Sequence, residues 1–306
     1  MKILINGLGS IGKKHVNAIL SLYPLAQIFA LRSNISCDQY LNVINIFDKK
    51  DIPKDLLFII ISNITSSHEQ TINEMIGLNC PLFIEKPVLN NLNNFKQLSD
   101  KIHENSIQTY IACNLRFHPA LKFIKHYIEV NNPRINEVNI YAGSYLPDWR
   151  PEKDFRTIYS ANDEDGGGVH LDLIHEIDYC TWLFGFPIES INMKTNNSSL
   201  HITAVDNARY FFKYPHFTAG IVLNYFRKDA KRQIEIITDN ETIVIDIIKN
   251  KVHSSTNNQI LYEDDFNILE TYEHQIKYFI NCIQAKERSM NEFDYAVEVL
   301  KLAIHE

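Results

Sequence analysis

The sequence predicts an α/β protein in which an N-terminal parallel sheet precedes an α+β domain built on a mostly antiparallel open sheet. In the first third of the 306 residues, short apolar runs alternate with segments of helical spacing, which is typical of βαβ units. Three of those runs, ILIN, LLFIII and PLFIE, are almost continuously apolar, as expected for strands covered by helices on both faces. The second half instead carries longer strand patterns, several of them alternating.

The N-terminal elements follow from these runs and from the helical spacing between them. A helix after His118-Pro119 leads out of this domain, so the predicted boundary lies between residues 1–118 and 119–306. The predicted strands are 2–6, 26–31, 56–62, 81–85 and 107–114, and the predicted helices are 13–22, 68–78, 91–104 and 119–129.

The C-terminal elements begin with strands that short connections join, and Asp239-Asn240 forms a hairpin turn between two of them. Neighbours joined in this way pair antiparallel, so this sheet differs in construction from the first. The predicted strands are 205–213, 217–226, 233–238 and 241–248, and helices at 269–285 and 295–305 close the chain.

Composition narrows the class of function. The formal net charge of -7 and the pI near 5.9 leave no basic stripe for nucleic acid or an anionic membrane surface. No apolar stretch approaches the length of a membrane span, and no signal peptide is expected. The five cysteines are scattered, with no C-x-x-C pair, which favours buried thiols in a reducing cytoplasm.

A glycine motif follows the first predicted strand. Gly7, Gly9 and Gly12, with Ser10 and Ile11 between them, form G-L-G-S-I-G directly before a helix. The first glycine permits a tight turn, the second a close approach of backbone to a pyrophosphate, and the third close packing of helix on strand. This context predicts a Rossmann dinucleotide-binding domain; the alternative is a glycine-rich turn in another α/β protein.

The cofactor is predicted from the end of the second strand. About twenty residues beyond the motif, where a carboxylate would bind the ribose hydroxyls of NAD, the chain has Arg32 and Ser33. Arginine beside a hydroxyl suits a 2'-phosphate, so NADP is favoured over NAD. The alternative interpretation makes Arg32 a solvated loop residue.

Two further motifs lie beyond the glycine loop, Glu85-Lys86-Pro87 at the end of a parallel strand and G-G-G-V-H-L-D-L-I-H-E-I-D-Y-C-T-W-L-F-G over residues 166–185. With the glycine motif they occur in the order of the Gfo/Idh/MocA family of sugar and polyol oxidoreductases, which the chain resembles over nearly its whole length. The variant D-L-I-H-E-I-D-Y, with Y-L-P-D-W-R-P at 145–151, resembles a subgroup linked to surface-polysaccharide and nonulosonic-acid pathways.

This resemblance implies a Rossmann domain, an open sheet that often builds an oligomer interface, and a cleft where Lys86 and an Asp/His pair surround the reacting carbon. A homo-oligomer, dimer or tetramer, is therefore expected through the C-terminal sheet. The family spaces Asp and His four apart with a glycine between, whereas Asp172 and His175 are three apart with Ile174 between. Anchoring on Trp182 matches His175 to the family histidine and leaves Asp172 displaced by one residue.

The expected chemistry assigns a role to each of the three catalytic residues. His175 exchanges the hydroxyl proton, because an imidazole titrates near neutral pH. Lys86 stabilises negative charge on the same oxygen, and Asp172 orients or supports His175. Two alternatives stand beside this interpretation: a solvated polar helix face, and a metal site at His170, Asp172, His175 and Glu176. The second lacks recognised zinc spacing, so no metal is predicted.

Further candidate residues lie near these motifs. For those assigned to the substrate, the alternative interpretation is an interface or a structural loop. The remaining cofactor-binding candidates are Ser62, Asn63, Thr65, His68, Glu85, Lys86 and Asn114. The substrate-binding candidates, which suit a sugar with a carboxylate or phosphate, are Arg116, Tyr145, Trp149, Arg150, Arg156, Tyr159, Asp172 and His175.

The predicted function is transfer of a hydride to or from a secondary hydroxyl carbon of a sugar or sugar-acid, nucleotide-activated and used in surface polysaccharide biosynthesis. The alternative is a non-catalytic dinucleotide or sugar sensor on the same fold. The presence of Lys86 and His175 together argues against the sensor.

Overall fold

The structure is a computed structural model that describes residues 1–34 and 38–305. It contains two compact units: the first comprises Met1–Asn114 and Asn267–Leu300, and the second Leu115–Phe266 and Lys301–Glu306. In chain order the elements are β1 (Lys2–Asn6), α1 (Ser10–Leu22), β2 (Gln27–Leu31), β3 (Ile44–Ile46), β4 (Phe58–Ile61), α2 (His68–Ile76), β5 (Leu82–Ile84), α3 (Phe95–Glu104), β6 (Thr109–Ile111), α4 (Pro119–Asn131), β7 (Ile135–Tyr145), α5 (Val169–Asp172), α6 (His175–Phe184), β8 (Glu189–Thr195), β9 (Asn207–Lys213), β10 (Thr218–Asn224), β11 (Phe226–Thr238), β12 (Thr242–Asp246), β13 (Lys251–Ser254), β14 (Ile260–Glu263), α7 (Glu270–Ala285) and α8 (Phe293–Ile304).

The first unit is built on a fully parallel sheet of six strands in the order β3-β2-β1-β4-β5-β6. This is the strand order of a Rossmann domain, and its direction reverses between β1 and β4, where dinucleotides bind in such sheets. β4 and β5 are buried at every position, as their continuous apolar sequences predict. The predicted N-terminal fold class is confirmed.

The C-terminal helix α7 packs in the first unit, although the predicted boundary assigned everything after residue 118 to the second domain. Phe279 of α7 contacts Phe58 and Phe83 of the parallel sheet, with ring centroids 5.5 and 5.8 Å apart. Burial of these aromatic rings explains why the chain returns, since the apolar face of α7 completes the core of the first unit. Sequence periodicity identified the helix but carried no information about which sheet it covers.

The second unit is built on an eight-stranded sheet in the order β14-β13-β12-β11-β7-β10-β9-β8. All neighbours pair antiparallel except β10 and β7, which are parallel. The predicted mostly antiparallel sheet is therefore confirmed. Alternate residues of β9 are buried and exposed, so one face of the sheet is covered and the other is open.

Some strands escaped prediction, and the longest of these is β7 at Ile135–Tyr145. Its sequence INEVNIYAGSY alternates polar Glu137 and Asn139 with buried Val138 and Ile140, which is a strand signal that the sequence analysis did not use. The strands β3, β8, β13 and β14 were also missed, and β11 begins seven residues before its predicted start at residue 233.

Within the described residues, no helix combines the length and apolar character needed to cross a membrane. Cys80, Cys113, Cys180 and Cys282 are buried, and Cys37 lies outside the described residues. Burial raises the pKa of the Cys80 thiol to about 11 and that of Cys180 to about 12, so both stay protonated at neutral pH.

Candidate active site

The glycine loop connects β1 to α1, and two of its glycines are required by packing. Gly7 has a φ of +100°, and a β-carbon there would collide with the backbone nitrogen of Asn63. A β-carbon on Gly12 would collide with the carbonyl oxygen of Gly7. At Gly9, by contrast, an added β-carbon would meet nothing within 4 Å. The side-chain position of Gly9 is thus open space at the N-terminus of a helix.

Neighbouring residues hold this loop in place. The Ser62 hydroxyl, at the end of β4, donates to the Gly7 carbonyl at 2.7 Å, and the Asn63 amide donates to Thr71 Oγ1 at 2.8 Å. α1 begins at Ser10, which is exposed, and its first turn contains no acidic residue. Free amide groups and the positive end of a helix dipole, without a competing carboxylate, suit a phosphate.

Arg32 follows the last residue of β2. It is half-buried, its backbone amide donates to the Ile46 carbonyl at 2.9 Å, and its guanidinium donates to Asn45 Oδ1 at 3.3 Å. Ser33 beside it is exposed. Arg32 is thus tethered to the neighbouring strand β3.

The Glu85-Lys86-Pro87 segment follows β5, and the Lys86-Pro87 peptide bond is cis. One carboxylate oxygen of Glu85 lies 2.6 Å from Nε2 of His15 on α1, and the other accepts from the Lys86 backbone amide at 3.2 Å. Burial and the Glu85 charge raise the pKa of the Tyr272 phenol above its usual range. Lys86 is half-buried.

His68 and Asn114, expected near the cofactor, are buried and engaged within the first unit. His68 is fully buried, with Nδ1 3.0 Å from the Pro87 carbonyl and Nε2 3.2 Å from the Asn63 carbonyl. Burial lowers its pKa, so the ring is neutral near neutral pH. Asn114 donates to Thr271 Oγ1 at 2.7 Å. Thr65 is half-buried in a short turn just before His68.

In the second unit, the Gly-Gly-Gly to Trp-Leu-Phe-Gly stretch forms two helical segments where a single face was expected. Asp172 ends α5 and His175 begins α6. Between them the Ile174 amide donates to the carbonyl three residues earlier, that of Leu171, at 3.4 Å, which departs from the α-helical pattern. Asp172, Glu176 and Asp178 are 7, 0 and 1 % exposed, so the alternative of a solvated polar face is wrong. His175 is half-buried.

Each of these three buried carboxylates has its own protein partners. Asp178 accepts two hydrogen bonds from the Arg116 guanidinium, at 2.9 and 2.6 Å, and Glu176 accepts two from Arg232, at 2.6 and 3.0 Å. Bidentate pairing compensates for the desolvation of both charges. Arg116 is 1 % exposed. It therefore acts as a structural residue, contrary to the expectation that it binds substrate.

Asp172 accepts hydrogen bonds from two tyrosines. The Tyr159 phenol donates to Oδ1 at 2.8 Å, and the Tyr225 phenol donates to Oδ2 at 2.5 Å. Tyr225 is fully buried and Tyr159 is 38 % exposed. Burial and the Asp172 charge raise the pKa of both phenols well above the usual range, so both stay protonated.

The loop after β7 carries the other substrate candidates. Trp149 is 37 % exposed, donates from Nε1 to Ser144 Oγ at 2.9 Å and meets the Tyr225 ring edge to face at 5.3 Å. Arg150 acts electrostatically on the Tyr159 phenol. Arg156 is exposed, stacks on Phe155 and lies 3.6 Å from Asp154. Tyr145 ends β7 beneath the Lys228 ammonium, 5.5 Å from the ring centroid.

His170, considered as a metal ligand, is buried, and burial with the nearby Lys194 ammonium lowers its pKa to about 4. Over residues 1–34 and 38–305, no three His, Cys, Asp or Glu side chains are grouped as metal ligands would be. Asp172 and Glu176 instead hydrogen-bond to the tyrosines and to Arg232.

Comparison with protein families matches two models to the chain. Residues 1–112 match the oxidoreductase family NAD-binding Rossmann fold, and residues 130–244 match the GFO/IDH/MocA C-terminal domain. The chain belongs to the GFO/IDH/MocA oxidoreductase family. The expected resemblance is confirmed, and the glycine loop described above lies within the residues that match this family's NAD-binding Rossmann fold.

Individual members of the GFO/IDH/MocA family are distant from this chain. The scyllo-inositol 2-dehydrogenase (NAD(+)) of Bacillus subtilis (strain 168) is 23 % identical over 235 residues, 72 % of this chain and 66 % of that protein. The chain therefore matches just under two thirds of the length of this curated relative.

Two solved structures share the complete fold. The UDP-N-acetylglucosamine 3-dehydrogenase GnnA from Acidithiobacillus ferrooxidans superposes with a TM-score of 0.78 at 16 % identity, covering 99 % of this chain and 95 % of that one. The WlbA dehydrogenase from Bordetella pertussis, in complex with NADH and UDP-GlcNAcA, superposes with a TM-score of 0.83 at 15 % identity, covering 100 % and 94 %. At this identity the likeness establishes the fold alone.

Among the residues that contact candidate site residues, His15 and Tyr225 were missed by the sequence analysis. His15 lies three positions beyond Gly12 on the buried face of α1, and its spacing from the glycine motif was a usable signal. Tyr225 follows the apolar strand β10, and its sequence context predicts only an aromatic residue of the core. Its contact with Asp172 spans 53 residues of sequence, so no local pattern reveals it.

Proposed function

We propose that the protein is an NAD(P)-dependent dehydrogenase or reductase that transfers a hydride to or from a secondary hydroxyl carbon of a sugar or sugar-acid. The observation that carries this proposal is the Rossmann strand order together with an N-terminal glycine loop whose Gly9 position is open. The GFO/IDH/MocA match supports the reaction class, and the inositol and nucleotide-sugar dehydrogenases among its relatives support a polyhydroxylated substrate.

The glycine loop fits the dinucleotide, because an open position meets a helix N-terminus that lacks acidic side chains. We assign the pyrophosphate to the backbone of Gly9, Ser10 and Ile11. Residues Ser62, Asn63, Thr65, Glu85 and Lys86 remain candidates for the nicotinamide half. When bound, the nicotinamide ring supplies the hydride acceptor or donor.

NADP is the favoured cofactor, and NAD is the alternative. Arg32 and Ser33 stand at the end of β2, where NAD enzymes usually carry a carboxylate, and Arg32 offers a cation for a 2'-phosphate. Titration of NADPH and NADH against the protein tests this preference. Arg32→Ala should weaken NADPH binding more than NADH binding; equal weakening would remove Arg32 from the phosphate site.

The proposed chemistry uses three side chains, those of His175, Lys86 and Asp172. The His175 imidazole accepts the substrate hydroxyl proton during oxidation and returns it during reduction. The Lys86 ammonium donates a hydrogen bond to the same oxygen and stabilises negative charge developing there. Asp172 supplies a fixed negative charge that favours the protonated imidazole once the proton has moved.

The substrate is proposed to be nucleotide-activated and to serve surface-polysaccharide biosynthesis. Tyr159 and Arg150 carry this part of the proposal, because Tyr159 is 38 % exposed and the Arg150 guanidinium, which acts electrostatically on its phenol, suits a phosphate. Trp149 offers an aromatic surface beside them, and Tyr145 and Arg156 remain candidates on the same loop. WlbA, whose fold this chain shares, was solved with UDP-GlcNAcA.

The decisive experiment measures reduced nicotinamide by absorbance with a panel of UDP-sugars, UDP-sugar acids, free sugars and inositols, with each cofactor in both directions. Turnover of a UDP-sugar or UDP-sugar acid supports the full proposal. Turnover of inositol alone would contradict the proposal that the substrate is nucleotide-activated. Tight cofactor binding without turnover of any substrate would contradict the proposed enzymatic activity and favour a non-catalytic sensor.

The open sheet face is proposed to bind a second copy of this chain in a homo-oligomer. Ile191 and Met193 on the edge strand β8, and Phe211 beside them on β9, are 70, 55 and 51 % exposed. Exposed apolar residues on a sheet edge are unusual for a monomer. Phe211→Asp should lower the mass measured by analytical ultracentrifugation, whereas Leu25→Asp on the first unit should not. A monomeric wild-type protein would contradict this.

A cytoplasmic location is proposed on the buried thiols of Cys80, Cys180 and Cys282, which persist in a reducing compartment. Fractionation of the producing cell, with immunodetection of the protein, tests it.

A further inference from the structure

Asp172 is held between two elements of the second unit that are distant in sequence. Tyr159 approaches from the loop after β7, and Tyr225 approaches from the junction of β10 and β11. Each carboxylate oxygen therefore accepts one phenolic proton. A carboxylate with a short hydrogen bond on each oxygen has a fixed plane and a fixed position.

The backbone around Tyr225 is itself immobilised. Its amide donates to the Asp206 carbonyl at 3.0 Å, and its carbonyl accepts from the Leu146 amide at 2.8 Å. Its ring is fully buried and packs edge to face against Trp149. Tyr225 therefore holds Asp172 at a fixed position relative to the sheet.

The phenols act only as donors to Asp172. Burial and the Asp172 charge raise the pKa of both phenols, so both stay protonated at neutral pH. The Ser160 hydroxyl, 2 % exposed, can donate its one proton to either phenol in turn. Hydrogen bonds arranged in series polarise one another, which strengthens the final contact to the carboxylate.

We propose that Tyr225 and Tyr159 are positioning residues that clamp Asp172 between the sheet and the loop, so that its charge is held fixed for the reaction. The proposal rests on the proposed function, in which Asp172 supports His175. Tyr225 provides the rigid half of the clamp. Tyr159, at 38 % exposed, provides the half that a substrate contacts.

The test is a double-mutant cycle between Tyr225→Phe and Asp172→Ala, read in two ways. In the wild-type background, Tyr225→Phe should reduce kcat roughly tenfold with little change in cofactor affinity; in the Asp172→Ala background it should have no further effect. The urea midpoint should show the same pattern, since Tyr225→Phe lowers it only when Asp172 is present. Tyr159→Phe, at a more exposed site, repeats the cycle with less risk to folding.

Tyr210→Phe is the matched control, because Tyr210 is a buried tyrosine of the same unit whose phenol donates to the Ala303 carbonyl at 3.0 Å. It should lower the urea midpoint equally in both backgrounds and leave kcat unchanged. Additive effects of Tyr225→Phe and Asp172→Ala on the urea midpoint would overturn the clamp, whether or not a substrate is found. An active wild type whose kcat survives Tyr225→Phe would overturn the positioning role while the proposed function stands.

Discussion

His15 and Glu85 form a buried hydrogen-bonded pair, with His15 Nε2 2.6 Å from Glu85 Oε1 and the imidazole fully buried. His15 lies on the helix that follows the glycine loop, and Glu85 directly precedes Lys86. The pair thus links the proposed pyrophosphate-binding helix to the proposed nicotinamide end of the same unit.

His15→Ala should destabilise the first unit and weaken dinucleotide binding. Removing one partner of a buried hydrogen bond costs about 1–3 kcal/mol in the free energy of unfolding. Urea unfolding and cofactor titration measure the two effects. His103→Ala is the control, because His103 and Asp294 lie at a similar distance, 2.7 Å, but are exposed, where such pairs contribute little. Equal effects of the two substitutions would contradict a special role for His15.

Gly9→Ala and Gly12→Ala should separate binding from folding. A methyl group at Gly9 meets no protein atom within 4 Å, so the melting temperature should stay near that of the wild type while the cofactor Kd rises about tenfold or more. A methyl group at Gly12 collides with the Gly7 carbonyl, so the melting temperature should fall. Unchanged cofactor affinity in Gly9→Ala would place the pyrophosphate elsewhere.

Arg116 and Arg150 should behave differently although both are arginines of the second unit. Arg116→Ala leaves Asp178 buried without its bidentate partner, which costs about 3–5 kcal/mol of stability. Arg150→Ala should leave the urea midpoint nearly unchanged and raise KM for a charged sugar. If Arg150→Ala lowers the free energy of unfolding as much as Arg116→Ala does, Arg150 is a structural residue of its loop and does not bind the substrate.

The stability of the protein should fall as the pH drops from 6.5 towards 4. Burial lowers the pKa of His118 and of His170 to about 4 from an ordinary value of 6.5, so the unfolded chain binds protons that the folded chain does not. Each neutral histidine contributes to the free energy of unfolding, and this contribution is complete above pH 6.5. About 2 kcal/mol per histidine should be lost by pH 5.

Urea unfolding at pH 7.5 and at pH 5 measures this loss. His170→Asn and His118→Asn should each flatten the pH dependence of the wild type. Equal free energies of unfolding for the wild type at the two pH values would contradict neutral burial of these rings.

The parallel sheet and the glycine loop could be predicted from the sequence because both depend on local patterns. ILIN followed by G-L-G-S-I-G fixes a strand, a turn and a helix within twelve residues. The return of α7 to the first unit was not predictable in this way, because the contact of Phe279 with Phe58 joins positions far apart in the chain.

The same limit applied to the site residues. Lys86, Asp172 and His175 lie in recognisable motifs, whereas the partners of the buried acids do not. Arg116 carried a charge that suited a substrate, yet it lies buried against Asp178, 62 residues away. Helical spacing described Asp172 and Asp178 as one polar face, and only tertiary packing determined that both are buried.

The proposed function requires His175 to exchange the substrate hydroxyl proton and Lys86 to stabilise charge on the same oxygen while the hydride passes between that carbon and the nicotinamide. Lys86→Ala and His175→Ala should each bind the dinucleotide with the affinity of the wild type, within about threefold, and turn over the best sugar substrate 10²–10⁴-fold more slowly. Stopped-flow absorbance of reduced nicotinamide, with cofactor saturating, measures the chemical step directly. A correctly folded variant of either residue that retains the wild-type rate would contradict the account.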